Sequence, residues 1–482
     1  MTAVAGLDVG TTGVKAIAIS PDGSVLATAE RSYPLSTPHP GWSEQDPEDW
    51  WSAAESALAE VGAGRELAGI GLSGQMHGLV ALDADERVIR PAILWNDQRT
   101  ATECEEIEDR LGRARLIELT GNRALPGFTA PKLLWLRRHE PDSYGRIRHV
   151  FLPKDYVRLR LTGEHAIDVA DASGTLLLDV AGRRWSDEVL DALEIPLAWL
   201  PPVLESPAIS GTTATGVSVA AGAGDCAAAA LGVGVDRPGP ASVVLGTSGV
   251  VFAALPAYRP DDQARAHVFC HAVPGTWHAM GVMLSAAGSL QWLRDTIAPD
   301  MSFEALVAEA ATWRPGAEGL VFLPYLQGER TPHADPDARG AFTGLQLRHN
   351  RGALVRAVLE GVAFGLRDSF DILRGLGIEV SSARASGGGA RSELWLRICA
   401  SVLDVPIERT VAEEGSAFGA ALLGGVAGGV FTDVSKAVAA AVQTKDVVEP
   451  DAEWARAYGE QQHRFRALYP ALRDLERSTV EG

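Results

Sequence analysis

The first thirty residues alternate short apolar runs with turn residues. Val4-Ala5-Gly6-Leu7-Asp8-Val9 and Val14-Lys15-Ala16-Ile17-Ala18-Ile19 flank Gly10-Thr11-Thr12-Gly13, and Pro21-Asp22-Gly23 precedes a third run at residues 24–29. Runs of this length, broken by glycine turns, predict three strands in a β-meander. This opening differs from the strand–turn–helix start of a dinucleotide-binding unit. The period then changes. Residues 46–60 carry acids early and helical spacing after Trp50, which predicts a helix. Residues 69–73 predict a short strand ending in Gly74-Gln75-Met76-His77-Gly78, and residues 92–94 another strand. Helices are expected at 393–402 and 452–475. Trp50, Trp51 and Trp292 fall at helical spacing and are expected in the core.

The pattern recurs. Residues 6–19 (GLDVGTTGVKAIAI) and 242–255 (SVVLGTSGVVFAAL) align Gly10-Thr11-Thr12-Gly13-Val14 with Gly246-Thr247-Ser248-Gly249-Val250 at a constant offset of 236 residues. In both copies an apolar strand enters a Gly-Thr-Thr/Ser-Gly turn and another strand leaves. The repeat halves the chain. It predicts two similar α/β domains, residues 1–235 and 236–482, flanking a cleft. The Gly/Pro-rich segment 232–240 would be the hinge, and the C-terminal helical tail would pack on the second domain.

Composition narrows the function classes. Of 482 residues, 46% are hydrophobic and 22% charged, as in soluble globular proteins. The formal charge of −19, from 62 acids against 43 bases, repels nucleic-acid backbones and anionic lipid. Neither nucleic acid nor a membrane is expected as a partner. ATP would need local compensation from backbone N–H groups and a divalent cation. Cys104, Cys226, Cys270 and Cys399 form no CxxC pair, which points away from zinc and disulfides and toward a reducing cytoplasm. No run of signal-peptide or membrane-spanning length occurs.

Phosphates need many N–H donors in a small space, and small residues let backbone approach. Gly10, Thr11, Thr12 and Gly13, with Lys15 just beyond, supply one such set; Gly246, Thr247 and Ser248 supply another. Either turn alone is an ordinary hairpin; the pair, one per domain, points to a triphosphate. No GxxxxGK[ST] motif is present. Asp8, directly before the first cradle, is a candidate Mg²⁺ holder. Asp225 follows Ala221-Gly222-Ala223-Gly224 and opens an apolar run. A carboxylate there is costly unless used or paired. It is either a helix N-cap or the base that accepts a hydroxyl proton, and with Asp8 it is a candidate metal holder. Gly388, Gly389 and Ala390, between a strand and a helix, are candidates for approach by adenosine. Gln75, Met76 and His77 at a strand end, and Trp95 with Asn96, Asp97 and Arg99 at another, are candidates for a sugar pocket.

Taken together, Asp8 to Lys15, the Gly246-Thr247-Ser248 turn and the Gly388-Gly389-Ala390 loop resemble the FGGY carbohydrate kinases, of the actin-like ATPase superfamily. Residues 127–139 (GFTAPKLLWLRRH) look like the family's first signature, with Lys132 and Trp135 in place. Residues 340–360 resemble the second, departing at Ala353, which is expected at the surface. Within the family, Trp42 to Pro47, Gly74 to Gly78, residues 91–97, Leu152 to Tyr156 and residues 323–333 are most similar to the members acting on D-xylulose. The resemblance runs over roughly residues 4–430. It implies ribonuclease-H-like domains, Mg-ATP as donor, phosphorylation of D-xylulose at O5, and a homodimer. It further implies Asp225 as proton acceptor, Met76 and His77 as sugar contacts, and Asp8 as an acid needed for activity. One departure is Cys226, where those members usually carry Asn or Gln. It leaves open another acceptor: an alditol, ribulose, gluconate or glycerol. A nucleotide-dependent sugar sensor without transfer is the remaining alternative.

Overall fold

The computed structural model describes residues 2–480. The chain forms two compact units. The first contains the residues up to Arg237, with Ala254–His278 and Glu414–Gln443; the second contains Pro238–Ala253, Ala279–Glu413 and the residues from Thr444 on. The first boundary lies between Arg237 and Pro238, and two later segments return to the first unit.

In the first unit, β1 (Thr2–Val9), β2 (Gly13–Ile19) and β3 (Val25–Ser32) form an antiparallel meander. After α1 (Pro47–Gly62), β4 (Glu66–Gly74) lies parallel to β1. Asp46 caps α1 by accepting from the Glu48 N–H, and Pro47 and two acids fill its first turn. Further along come α2 (Thr129–His139), α3 (Pro153–Thr162) and the short α4 (Val169–Ser173). β5 (Ser218–Ala220) adds beside β4, and Ala223–Gly224 pairs with Ser73 and Gly74 before α5 (Asp225–Gly232) begins. Strand alternation assigns the two faces of the sheet. Ala5, Leu7 and Val9 pack with Trp50 of α1 and Tyr156 of α3 in one core. Gly6 and Asp8 alternate with them and point to the opposite face.

The second unit repeats the scheme. β6 (Pro240–Leu245) and β7 (Gly249–Leu255) are antiparallel. After α6 (Ala287–Ile297) and the long α7 (Arg351–Gly375), β8 (Ser382–Ser386) lies parallel to β6. α8 (Glu393–Leu403) then leads to β9 (Ile407–Thr410), parallel to β8, with β10 (Thr444–Val448) antiparallel at the edge. Tyr458 of the final helix donates to Glu360 of α7 at 2.9 Å. Two expectations are corrected here. Ala353 is fully buried in the first turn of α7, where its N–H donates to the Asn350 side chain that caps the helix. Trp292 is 40% exposed, on the face of α6 that the core leaves open, and stacks on Phe322.

The open face of the first sheet is covered by a helix from late in the chain, α9 (Gly415–Ala427). Backbone meets backbone there. A Cβ on Gly6, Gly71 or Gly69 would lie 2.0, 1.9 or 2.0 Å from the carbonyl oxygen of Ala417, Ala420 or Gly424. On its other side a Cβ on Gly419 would lie 1.8 Å from the Ala228 oxygen of α5. Only glycine permits such approach. α9 is thus wedged between the sheet and α5, and its Ser416 hydroxyl donates to the Asp225 carbonyl at 3.1 Å. Among the described residues no helix is long and apolar enough to cross a membrane.

Candidate active site

Asp8 lies near the end of β1, in register with Lys15 on β2 and Ser73 on β4. Ala223 continues that row beyond Ser73, and Asp225 follows two residues later. With strands about 4.8 Å apart, two strand spacings separate Asp8 from the segment leading to Asp225. The Ser73 hydroxyl donates to Asp8 Oδ1 at 2.7 Å. Burial raises the Asp8 carboxyl, countered in part by Ser73 and the charge of Lys15. Burial pushes Asp225 up to about 6, and the negative charge of Asp8 adds to it. Asp225 is not the N-cap: Gly224 is, and Asp225 Oδ1 accepts from the Cys226 N–H at 2.7 Å. A carboxylate poised near neutrality can take a proton and give it up again. The Cys226 thiol is pushed well above its usual range by burial and by Asp225, so it stays neutral.

The turn between β1 and β2 closes with the Gly10 N–H on the Gly13 carbonyl at 3.0 Å. Side chains then pin it. The Gln75 amide donates to Gly10 O at 3.3 Å and to Gln45 Oε1 at 3.1 Å, and accepts from the Thr11 hydroxyl at 3.3 Å. Gln45 donates to Thr11 O at 2.7 Å and accepts from Trp50 Nε1 at 3.0 Å. The Tyr33 hydroxyl donates to Gly10 O, and Trp95 Nε1 donates to Thr11 Oγ1 at 2.9 Å. Gln75 therefore sits buried beneath the turn, whereas Trp95 is 40% exposed above it. Thr12 is exposed at the tip. The Lys15 ammonium lies 3.4 Å from Glu30. Gln45 went unnoticed as a turn support in the sequence, where only its place in a family-like stretch marked it.

Met76 and His77 follow the end of β4. Met76 packs on Gly224, where a Cβ would lie 2.8 Å from its Cγ. His77 donates through Nδ1 to the Gly174 carbonyl at 2.6 Å, which fixes that tautomer, because a carbonyl can only accept. Asp8, the first glycine turn, Met76, His77 and Asp225 are thus gathered in one unit. Asp97 and Arg99 turn inward instead. They pair at 2.6 Å, and the Arg99 guanidinium lies 3.5 Å from the centre of the Trp42 ring.

The second unit holds a cavity of about 830 Å³, lined by Gly246 and Thr247, by Gly388 and Gly389, and by Gln291, Phe303, Val307, Ala308 and Trp395. That volume suits a nucleoside. Gly388 opens onto it with nothing near a Cβ, whereas a Cβ on Gly389 would meet Leu245 at 2.8 Å. Ser248 is exposed on the turn and Ala390 is buried behind the loop. Backbone rather than side chains supports this turn: the Ala286 and Ala287 N–H groups donate to Thr247 and Gly246 carbonyls, each at 2.8 Å. The lining from Ala287 to Ala311 escaped the sequence reading. Its signal was Ala286-Ala287-Gly288, a small-residue entry to a helix.

The model of the FGGY family of carbohydrate kinases, N-terminal domain, matches residues 3–232, and that of the C-terminal domain matches 241–428. The chain is 43% identical to the xylulose kinase of Escherichia coli (strain K12), over 98% of this chain and 99% of that protein. It is similar to the crystal structure of a "xyloylose kinase" from Brucella ovis, with 44% identity, a TM-score of 0.93 and coverage of 98% and 100%. The xylulose kinase from Rhodospirillum rubrum gives 34% identity, a TM-score of 0.92 and the same coverage. Twin meander sheets, twin glycine turns and two half-buried carboxylates are accounted for together: the chain belongs to the FGGY family of carbohydrate kinases, with the actin-like ATPase fold.

Proposed function

We propose that this protein transfers the γ-phosphoryl group of ATP to O5 of D-xylulose, giving D-xylulose 5-phosphate and ADP. The observation that carries the reading is Asp225, a half-buried carboxyl pushed up to about 6 by desolvation and by the charge of Asp8, directly after Gly224 on which Met76 packs, in a chain whose full-length relatives are xylulose kinases. Met76 and His77 orient the sugar, with Trp95 as a further wall. Asp225 accepts the proton of the attacking hydroxyl while the new P–O bond forms and the bond to the β-phosphate oxygen breaks. Gly10, Thr11, Thr12 and Gly13, together with Gly246, Thr247 and Ser248, present N–H and hydroxyl donors to the phosphates, and Lys15 adds positive charge in the row of Asp8. The adenosine occupies the cavity beside Gly388, Gly389 and Ala390.

Magnesium fits the residues present. Among the described residues no group of three or more His, Cys, Asp or Glu forms a metal cage. Mg²⁺ takes one or two carboxylates plus phosphate oxygens, and the mutual repulsion of Asp8 and Asp225 is what a divalent cation relieves. Asp8 and Asp225 would hold it, and it would neutralise charge on the phosphates. The family resemblance extends the reading to a cytoplasmic homodimer, for which light scattering tests the assembly.

Sugar-stimulated ADP release, measured across D-xylulose, D-ribulose, an alditol, gluconate and glycerol, tests the proposal. D-Xylulose is expected to give the highest kcat/KM; ATP binding without turnover on any acceptor would sink it. Cys226 supports a second reading, an acceptor other than D-xylulose, because a neutral thiol bonds hydroxyls more weakly than an amide. The same panel separates the two.

A further inference from the structure

Lys132 is fully buried on α2, in a stretch the proposed chemistry leaves unused. Its Nζ donates to the His77 carbonyl at 2.9 Å and to the Gly127 carbonyl at 2.5 Å. The Thr129 hydroxyl, one turn earlier on the same helix, donates to the same His77 carbonyl at 3.0 Å. Burial lowers Lys132 to about 7. As ammonium or as amine it still carries the two N–H donors that two carbonyls require.

What these donors hold is unusual backbone. His77 has φ of 71°, and the Gly78 N–H donates to the Met76 carbonyl at 2.9 Å. That makes His77 the centre of a γ-turn with positive φ, a rare and strained conformation for a residue with a Cβ. Strain of this kind persists only where the surroundings over-determine it. Here the carbonyl is fixed by Lys132 and Thr129, and the ring by Gly174 O and by Phe128, whose centroid lies 4.8 Å away edge-on. The peptide plane after His77 cannot rotate out of the turn without breaking both bonds from α2.

We infer that Lys132 is a positioning residue for the acceptor sugar: with Thr129 it grips the His77 carbonyl and keeps Met76 and His77 in the turn that presents them. This rests on the reading of Met76 and His77 as sugar contacts, and the test separates the two. Lys132→Met is expected to raise the sugar KM about ten- to a hundredfold and to leave the ATP KM within about twofold. Thr129→Val, nearly isosteric, removes one donor and is expected to raise the sugar KM about three- to tenfold, again without changing the ATP KM. Should Lys132→Met fail to fold, Thr129→Val decides. His77→Ala is the control. If it raises the sugar KM while both α2 variants leave it unchanged, the positioning role is wrong and the sugar contact stands. If His77→Ala is itself silent, the contact falls and the positioning role with it. Parallel rises in sugar and ATP KM would mean general loosening and would also overturn the inference.

Discussion

Beneath the first glycine turn, Asp8 faces Lys15 across β1 and β2; beneath the second, Val244 faces Val250 across β6 and β7. The turns themselves differ despite their shared sequence. The Val9–Val14 pair encloses four residues, Gly10 to Gly13, and the Leu245–Gly249 pair encloses three, Gly246 to Ser248. Their supports differ too. Gln75, Gln45, Trp95 and Tyr33 hold the first through side chains, whereas backbone N–H groups of Ala286 and Ala287 hold the second. One short sequence thus serves two settings. The first is polar, charged and adjacent to Asp225. The second has valines beneath it and opens onto a cavity whose walls are mostly apolar, with Glu304, Arg391 and Glu393 among them. In the proposed reading a Gly-Thr-Thr/Ser-Gly turn supplies donors for phosphate in either setting, and the residues behind it decide whether chemistry is added.

Substitutions can break this contrast, and the largest effect is expected at the base. Asp225→Asn should lower kcat by about three orders of magnitude or more, combining loss of the base with mispositioning, while ATP binding measured by calorimetry survives. Next comes the row beneath the turns. Asp8→Asn should lower kcat by about a hundredfold, whereas Val244→Ala, at the corresponding place in the second unit, should change it by less than about threefold. Steady-state turnover checks both. A smaller effect is expected from the supports. Gln45→Ala leaves Thr11 O, Trp50 Nε1 and the Gln75 amide short of partners, and should cost about 1–3 kcal/mol in denaturant unfolding, with a raised ATP KM. Thr247→Val, at an exposed turn with backbone support, should raise the ATP KM only about two- to fivefold and leave stability unchanged.

Both turns were legible because local sequence encodes them: glycines at the bend, apolar runs on each side. Asp225 was legible for a related reason, since a carboxylate between glycines and an alanine-rich run needs a use. Contacts distant in sequence were not. Gln75 read as a sugar contact at a strand end, yet its amide is engaged by Gln45 and Thr11, 30 and 64 residues away. The pairing of Lys15 with Glu30 was not legible either, because Glu30 lies on a strand whose register only the fold defines. Trp292 shows the limit of periodicity, which identifies a face of a helix without saying what covers it. α9 is the largest omission. Its partners Gly69 and Gly71 were visible, but small residues in a strand did not reveal that a helix from beyond residue 414 lies against them.

The central claim is that Asp8, and not its counterpart in the second unit, tunes the base. The pH dependence of kcat/KM for D-xylulose tests it most directly, because that ratio reports groups of the free enzyme. Activity needs Asp225 ionised, so the wild-type profile should fall as pH drops through about 6. Negative charge on Asp8 raises the Asp225 pKa, so Asp8→Asn should move this limb to lower pH, and Val244→Ala should leave it in place. A limb that stays put in Asp8→Asn, or moves equally in Val244→Ala, would contradict the account.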